Sequence, residues 1–189
     1  MAAQPSIAGL LGRILRKRRA GEATLAWHVA GLAAVERIQL SSPSFEHGAP
    51  IPLRHAAKGL GDNLSPALDW SGVPAEAQQL VLIVEDPDVP LRRPIAHAVV
   101  TGIPPKTNHI DEGAMNKGEL FGAANASFGR RGYSGPRPIS GHGPHSYVWQ
   151  LFALDTVLDL PKDLKPDAVV AAASGHVIAR GRLDGTVER

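Results

Sequence analysis

The chain has 189 residues, of which 43% are apolar, and its 20 basic and 18 acidic side chains give a formal charge of +2. This length and composition suit one globular domain and exclude a wholly disordered chain. The 20 Gly and 16 Pro disfavour a helical bundle, and the lack of cysteine excludes disulfides and cysteine-ligated zinc.

The basic charge is concentrated at the N-terminus. Residues 1–19 contain five basic side chains and no acidic one, which leaves 15 basic and 18 acidic groups in the other 170 residues. A nucleic-acid-binding face needs basic side chains spread along it, so we predict no nucleic-acid partner. No apolar run approaches the roughly 18 residues of a membrane span, so we predict no transmembrane segment.

The first predicted element is an amphipathic helix that begins after Ser6 and ends before Gly21. Its apolar residues recur at helical spacing and are Ile7, Leu10, Leu11, Ile14 and Leu15. We expect this stripe to pack against protein, as a homodimer through the N-terminal helix. Peripheral contact with a membrane surface is the alternative. A second helical stretch is predicted over roughly residues 23–34.

Strand patterns begin at Arg37. Alternating or β-branched runs predict strands over 37–40, 80–84, 98–100 and 147–154. In the last run, odd-numbered and even-numbered apolar residues would lie on opposite faces. A late helix is predicted over Asp167–Ser174, after Pro166 and before Gly175. These elements indicate a mainly β chain, an antiparallel sandwich over residues 37–189 with a helical extension over residues 1–36.

Two polar clusters lie at the ends of predicted strands. Glu85-Asp86-Pro87-Asp88-Val89-Pro90 follows the strongest strand, and His97 comes nine residues after Asp88. The second cluster spans residues 135–147 and ends in His145-Ser146-Tyr147. Two imidazoles beside a carboxylate can bind an anion, because the carboxylate fixes the imidazole tautomer and raises its pKa. Backbone N–H groups around Gly141 would add donors.

Other interpretations of these clusters stay open. Asp86 and Asp88 can simply close Asx turns, with the histidines hydrogen-bonded at strand edges. The spacing also permits a metal site from Asp86, Asp88, His97 and His145. No compact metal-binding signature supports that site, so we predict neither a metal nor a cofactor. No Gly-x-Ser-x-Gly motif selects a serine nucleophile.

At these residues the chain resembles the phosphatidylethanolamine-binding protein family, in particular its bacterial Raf-kinase-inhibitor-like branch. The resemblance covers roughly residues 37–189 and leaves residues 1–36 outside. The stretches that carry it are Ser44-Phe45-Glu46-His47-Gly48 with Ile51-Pro52, residues 61–70, residues 85–90, His97, Asn125 with Gly132-Tyr133, residues 141–149 and Gly185-Thr186. One departure is Ser146, since the family's usual His-Arg-Tyr reads His145-Ser146-Tyr147 here.

The resemblance implies a Greek-key sandwich of two antiparallel sheets, with a short C-terminal helix and an anion pocket at one end. Carried over residue by residue, it places four side chains in the pocket, three residues at the rim and two in the supporting turn. These are Asp86, His97, His145 and Tyr147, then Gly135, Pro138 and Gly141, and finally Pro87 and Asp88.

The expected function is binding of a phosphate- or carboxylate-bearing small ligand or a phospholipid headgroup. The resemblance also implies regulation of a kinase- or protease-type partner, and we expect a cytoplasmic protein that is not an enzyme. The alternative is a hydrolase or lyase acting on a small ester or phosphate. In that case His97 or His145 is the general base and Asp86 orients it.

Overall fold

The computed structural model describes residues 7–117, 120–161 and 163–189. Two α-helices, α1 (Ile7–Leu15) and α2 (Pro166–Ala173), confirm the predicted first and late helices. The strands of the described residues are β1 (Gln39–Ser41), β2 (Leu68–Ser71), β3 (Gln79–Asp86), β4 (Ile95–Ile103), β5 (His109–Ile110), β6 (His145–Leu154) and β7 (Val177–Val187).

The strands form two antiparallel sheets, which confirms the predicted fold class. The larger sheet has the order β4-β3-β6-β7, and the smaller has the order β1-β2-β5. Every residue of β3 is buried, because this strand lies inside the larger sheet and both sheet faces are covered. The pairing of β3 with both β4 and β6 sets Asp86 opposite Ile95 and Glu85 opposite Val148.

The predicted two-faced pattern of β6 is confirmed by its packing. Odd-numbered residues from Tyr147 to Ala153 face a cluster shared with β1 and β2. Even-numbered apolar residues, of which Phe152 is the largest, face a second cluster that includes Val169 of α2. Each large apolar side chain buried in this way contributes about 1.5–3 kcal/mol to folding.

Residues 22–32 form three short 3₁₀ turns where the sequence predicts one helical stretch. Extended backbone at Leu25 and Val29 separates the turns. Leu25, Trp27 and Leu32 are thereby all buried in the second cluster, together with Phe152. The backbone N–H of Trp27 donates to Gln150 Oε1 (2.6 Å) rather than to a helix carbonyl. These residues form part of the hydrophobic core on one face of the larger sheet. The predicted domain boundary at residue 36 stays a prediction.

The apolar stripe of α1 is exposed on this chain. Ile7 is 89% exposed and Ile14 70%, and Leu10 and Leu11 are half exposed. The expectation that a second copy covers the stripe therefore stays a prediction. The predicted capping residue, Ser6, lies outside the described residues. No helix among the described residues is long and apolar enough to cross a membrane.

The sequence pattern missed β2, β5 and β7. The burial of β7 alternates along its length, but glycines hide the alternation in the sequence. A Cβ atom on Gly181 would lie 2.3 Å from the carbonyl oxygen of Ile38, so only glycine fits where the chain before β1 passes over β7. The glycine that weakens the strand signal is thus required by a contact distant in sequence.

Replacing Glu85 by glutamine should stabilise the protein at neutral pH. Burial raises the pKa of Glu85, whose Oε2 accepts from Ala26 N and Gln150 Nε2, each at 2.8 Å. Because the folded-state pKa lies above the ordinary 4.5, ionisation opposes folding increasingly as pH rises from 4.5 through the folded value. Glutamine keeps the acceptor and cannot ionise. We expect urea denaturation to show a larger unfolding free energy for Glu85→Gln at neutral pH and a vanishing gain towards pH 4.5.

Glu22→Gln is a matched control, for which we expect the opposite change in the free energy of unfolding. Although partial burial opposes it, Arg182 lowers the pKa of Glu22, so its ionised form stabilises the fold above pH 4.5. This variant should lose stability at neutral pH. If both variants shift stability in the same direction, burial of Glu85 does not act as described.

Candidate functional site

A cavity of about 340 Å³ lies at one end of the larger sheet. Its lining includes Asp86 at the end of β3, His97 on β4, and His145 and Tyr147 at the start of β6. Antiparallel pairing places the end of β3 beside the starts of β4 and β6. The four side chains predicted for the pocket are therefore brought together on one wall.

Asp86 and His145 form a buried pair. The side chain of Asp86 is 3% exposed and that of His145 is 1% exposed, and His145 Nδ1 lies 2.8 Å from Asp86 Oδ2. The other oxygen, Oδ1, accepts from the backbone N–H of Asp88 at 2.8 Å. One carboxylate thus closes an Asx turn and also orients a histidine, so both interpretations of Asp86 describe real bonds.

His145 has no free ring nitrogen. Its Nε2 lies 2.8 Å from Nδ1 of His142, which is also buried. The remaining nitrogen of His142 donates to the carbonyl oxygen of Leu15 at 2.9 Å. His142 was not among the predicted site residues, although its His-x-x-His spacing with His145 was a usable signal. A ligand in the cavity cannot bind His145 through an unoccupied nitrogen.

His97 is the histidine with a free nitrogen. Its Nδ1 lies 2.5 Å from the carbonyl oxygen of Ser134, and a carbonyl only accepts, so Nδ1 carries the proton. Burial lowers the pKa of His97, which favours the neutral ring. In that ring Nε2 is an unprotonated acceptor, and it is buried without a hydrogen-bond partner. His97 therefore offers the cavity a lone pair.

Tyr147 offers a donor beside that acceptor. Its ring contacts the His97 ring edge-on, with centroids 5.0 Å apart. The hydroxyl is also buried and forms no hydrogen bond of good geometry, although the Asp86 carboxylate and the backbone of Arg137 lie near it. Burial, followed by the charge of Asp86, raises the pKa of Tyr147 above its ordinary range. The hydroxyl therefore keeps its proton and can donate it to an oxygen of a ligand.

Of the three predicted rim residues, Gly135 alone lines the cavity. Its N–H donates to Asn63 Oδ1 at 2.8 Å. Pro138 is buried outside the cavity lining, whereas its neighbours Arg137 and Ile139 line it. The N–H of Gly141 donates to the carbonyl oxygen of Arg189 at 2.8 Å and is not available to a ligand. The ligand-binding role of these residues stays a prediction.

Pro87 and Asp88 lie in the turn that follows β3 and do not line the cavity. Asp88 Oδ2 accepts from the backbone N–H of Ser146 at 2.6 Å, which ties this turn to the start of β6. Burial opposes ionisation of Asp88, but this bond and the Arg19 guanidinium hold its pKa below the ordinary value. The predicted supporting position of Asp88 agrees with these contacts.

Two arginines that are not among the predicted site residues line the cavity. They are Arg130 and Arg137, both largely exposed. Arg130 Nη1 donates to Ser134 Oγ at 2.8 Å, whereas its neighbour Arg131 pairs with Asp163.

No group of three or more His, Asp or Glu side chains within the described residues is arranged to hold a metal ion. A more open cleft of about 950 Å³ shares Leu91, Ile95 and Phe128 with the cavity. The unpartnered buried atoms of His97 and Tyr147 belong to the smaller cavity. The smaller cavity is therefore the candidate site.

Known proteins resemble this chain in both sequence and structure. The family model for phosphatidylethanolamine-binding protein matches residues 41–188. A UPF0098 protein of Methanothermobacter thermautotrophicus is 37% identical over 155 residues, covering 80% of this chain and 99% of the relative. LppC, a candidate lipoprotein of Mycobacterium tuberculosis, is 38% identical over 159 residues, covering 82% of this chain and 74% of that protein.

Two solved structures share the fold. The phosphatidylethanolamine-binding protein homologue CT736 of Chlamydia trachomatis superposes with a TM-score of 0.73 at 35% identity, covering 82% of this chain and 99% of its own. Escherichia coli YbcL superposes with a TM-score of 0.76 at 26% identity, covering 81% of this chain and 99% of its own. Both matches cover most of this chain.

Proposed function

This chain belongs to the phosphatidylethanolamine-binding protein family, in its bacterial branch, and from that premise we propose that its cavity binds a small phosphate- or carboxylate-bearing ligand, such as a phospholipid headgroup. The observation that carries the proposal is the pair of buried atoms without partners, His97 Nε2 and Tyr147 Oη. A buried polar atom without a hydrogen bond costs about 1–3 kcal/mol. One ligand oxygen group within reach of both atoms would remove both costs.

The two atoms differ in what they require. Tyr147 donates, so it suits an anionic oxygen. Neutral His97 accepts through Nε2, so it suits a protonated oxygen or takes a proton when an unprotonated anion binds. Arg130 and Arg137 supply positive charge on the cavity wall. A phosphate or carboxylate group of the ligand fits these donors and acceptors. The apolar surface formed by Leu91, Ile95 and Phe128, which the cavity shares with the open cleft, suits an apolar part of the same ligand.

Binding of sulfate should take up about one proton from solution near neutral pH. Burial lowers the pKa of His97 in the free protein, and an anion beside Nε2 raises it. Affinity for sulfate, which carries no proton of its own there, should therefore fall as pH rises through this window. Calorimetry in buffers of different ionisation enthalpy measures the proton count directly.

His97→Gln is the control, because glutamine cannot take up the proton. It should show no proton uptake on binding. Sulfate binding without proton uptake in the unsubstituted protein would contradict the role given to His97. If titration with inorganic phosphate leaves the NMR resonances of both His97 and His145 unmoved, the site itself is wrong.

A hydrolase or lyase on a small ester or phosphate is the second candidate, favoured by the free Nε2 of His97 as a general base. Of the two bases considered from sequence, His145 has no free nitrogen. The Asp86 carboxylate orients His145, whereas the Ser134 carbonyl holds His97. Turnover of a simple ester that disappears in His97→Gln would favour the enzyme over the binding protein.

Regulation of a kinase- or protease-type partner and a cytoplasmic location both stay predictions. One of the relatives is a candidate lipoprotein, so the cellular location of this chain needs a test of its own. Co-purification of a kinase or protease that is released by inorganic phosphate would support the regulatory role.

A further inference from the structure

Residues 15–21, called here the strap, run along the outer side of the Asp86–His145 pair. The strap contacts the turn after β3 through two backbone bonds, from Ala20 N to Val89 O (2.8 Å) and from Gly21 N to Pro87 O (2.9 Å). Arg19 adds a bond to Asp88 Oδ1 at 2.6 Å. The strap therefore holds one wall of the cavity from outside the region that matches the family.

The strap also contacts the loop before β6. Arg19 Nη1 donates to Pro144 O at 3.0 Å. His142 Nε2 lies 2.9 Å from the carbonyl oxygen of Leu15 and 3.2 Å from that of Arg18. The turn after β3 and the loop before β6 are thus joined to the same seven residues.

Close packing of α1 places the strap. A Cβ atom on Gly12 would lie 2.0 Å from Ser140 O and 2.8 Å from His142 N, so only glycine lets the helix approach this loop. A Cβ on Gly141 would lie 2.7 Å from Gly9 O. The side of α1 that carries glycine meets the domain, which is why its apolar stripe can remain exposed.

The hydrogen bonds of this region determine how many protons the side chains of Asp86, His145 and His142 hold together. Three bonds run in series from Asp86 to His145, from His145 to His142, and from His142 to the strap carbonyls. A carbonyl oxygen cannot donate, so each bond requires one proton from the three side chains themselves. Three protons on one carboxyl group and two imidazoles leave the set with no net charge.

Without the strap carbonyls, these three side chains need one proton fewer. Water can donate as well as accept, so His142 could then carry its single proton on Nδ1 and donate it to His145 Nε2. Two protons would satisfy the remaining bonds, and the set would carry one negative charge beside the cavity. A buried negative charge close to an anion opposes its binding.

We propose that His142 and the strap are positioning elements of the anion site, which hold a third proton on the Asp86–His145–His142 set and so keep this wall of the cavity free of net negative charge. The inference rests on the proposed function. The other charged or titratable groups around this set are Arg19 paired with Asp88, His97 and Tyr147 near Asp86, Arg130 near His97, and Arg13 and Arg16 against the loop that carries His142. Arg19 neutralises Asp88, so the strap removes negative charge from the site at a second position.

The test uses the 189-residue protein labelled with ¹⁵N. Long-range ¹H–¹⁵N spectra show which ring nitrogens carry protons, and calorimetry measures the affinity for inorganic phosphate. In the unsubstituted protein we expect one of the two rings, His142 or His145, to carry protons on both nitrogens at neutral pH. In Gly12→Val, where the added side chain lifts α1 and the strap from the loop, we expect one proton on each ring. Phosphate affinity should fall about tenfold.

A second pair of variants acts through different atoms. His142→Phe should lower phosphate affinity by a similar factor while His145 becomes neutral. Arg19→Gln should weaken binding, whereas Lys17→Gln, which removes the same charge from a strap position with no described contact to the cavity walls, should leave affinity within about twofold. Equal losses for the two charge variants would indicate a general electrostatic effect and overturn the inference.

Two further outcomes separate this inference from the proposed function. If the unsubstituted protein binds phosphate but each ring carries one proton, with that of His145 on Nδ1, or if His142→Phe and Gly12→Val bind as tightly, the inference is wrong and the proposed function stands. If the unsubstituted protein binds neither phosphate nor sulfate nor acetate, the proposed function fails, and this inference fails with it.

Discussion

Replacing Asp86 by alanine should weaken phosphate binding about fivefold to 150-fold, although the change removes a negative charge from the cavity. The variant leaves His145 Nδ1 buried without an acceptor and releases the N–H of Asp88. Each loss costs about 1–3 kcal/mol when the group cannot reach water. The histidine would then turn to find another partner, and the His145–His142 bond would be lost with it. Calorimetry with inorganic phosphate measures the binding effect, and urea denaturation measures the stability effect.

The chain provides a matched exposed pair as the control. His176 Nδ1 lies 2.9 Å from Asp155 Oδ1, with both side chains about half exposed. Asp155→Ala removes the same kind of bond where water replaces it, so it should change stability by less than about 1 kcal/mol and leave phosphate binding unchanged. Tighter phosphate binding by Asp86→Ala would show that charge repulsion dominates and that Asp86 does not act through His145.

Replacing Gly135 by alanine should both destabilise the protein and reduce phosphate affinity about tenfold. The added Cβ would lie 2.4 Å from His55 O and 2.7 Å from Ala57 N, and backbone atoms cannot move aside cheaply. The loop must therefore shift. The carbonyl of Ser134, one residue earlier, holds Nδ1 of His97, so the shift releases the histidine that faces the cavity. Overpacking of this kind costs about 1–3 kcal/mol.

Gly181→Ala is equally crowded but lies outside the cavity lining. Gly181 lies on β7, and an added Cβ there would lie 2.3 Å from the carbonyl oxygen of Ile38. The two variants should lose similar stability in urea denaturation, and only Gly135→Ala should lose phosphate affinity. Equal losses of affinity in both would mean that binding follows global stability rather than the position of Ser134.

The amino-acid pattern was sufficient to predict the elements whose side chains alternate or recur locally. The alternation in β6 predicts its two buried faces, and the spacing from Ile7 to Leu15 predicts α1. The positions of the two polar motifs, one around Asp86 and one ending at Tyr147, directly after and directly before predicted strands indicate that both motifs lie at strand ends. The strand β7 was missed because Gly181 is required by contact with the chain before β1, and no local pattern records that contact.

Short local patterns were enough to predict the sandwich class, and the resemblance of the ordered motifs to a known family indicated four side chains of the candidate site. Which histidine faces the cavity with a free nitrogen follows from the folded chain alone. Ser134 holds His97 across 37 positions, and Leu15 holds His142 across 127. Which ring nitrogen donates depends on whether its partner can accept or donate, and that partner is chosen by folding. Arg130, Arg137 and the strap likewise reach the cavity from chain segments far apart in sequence, so no local pattern predicts their positions.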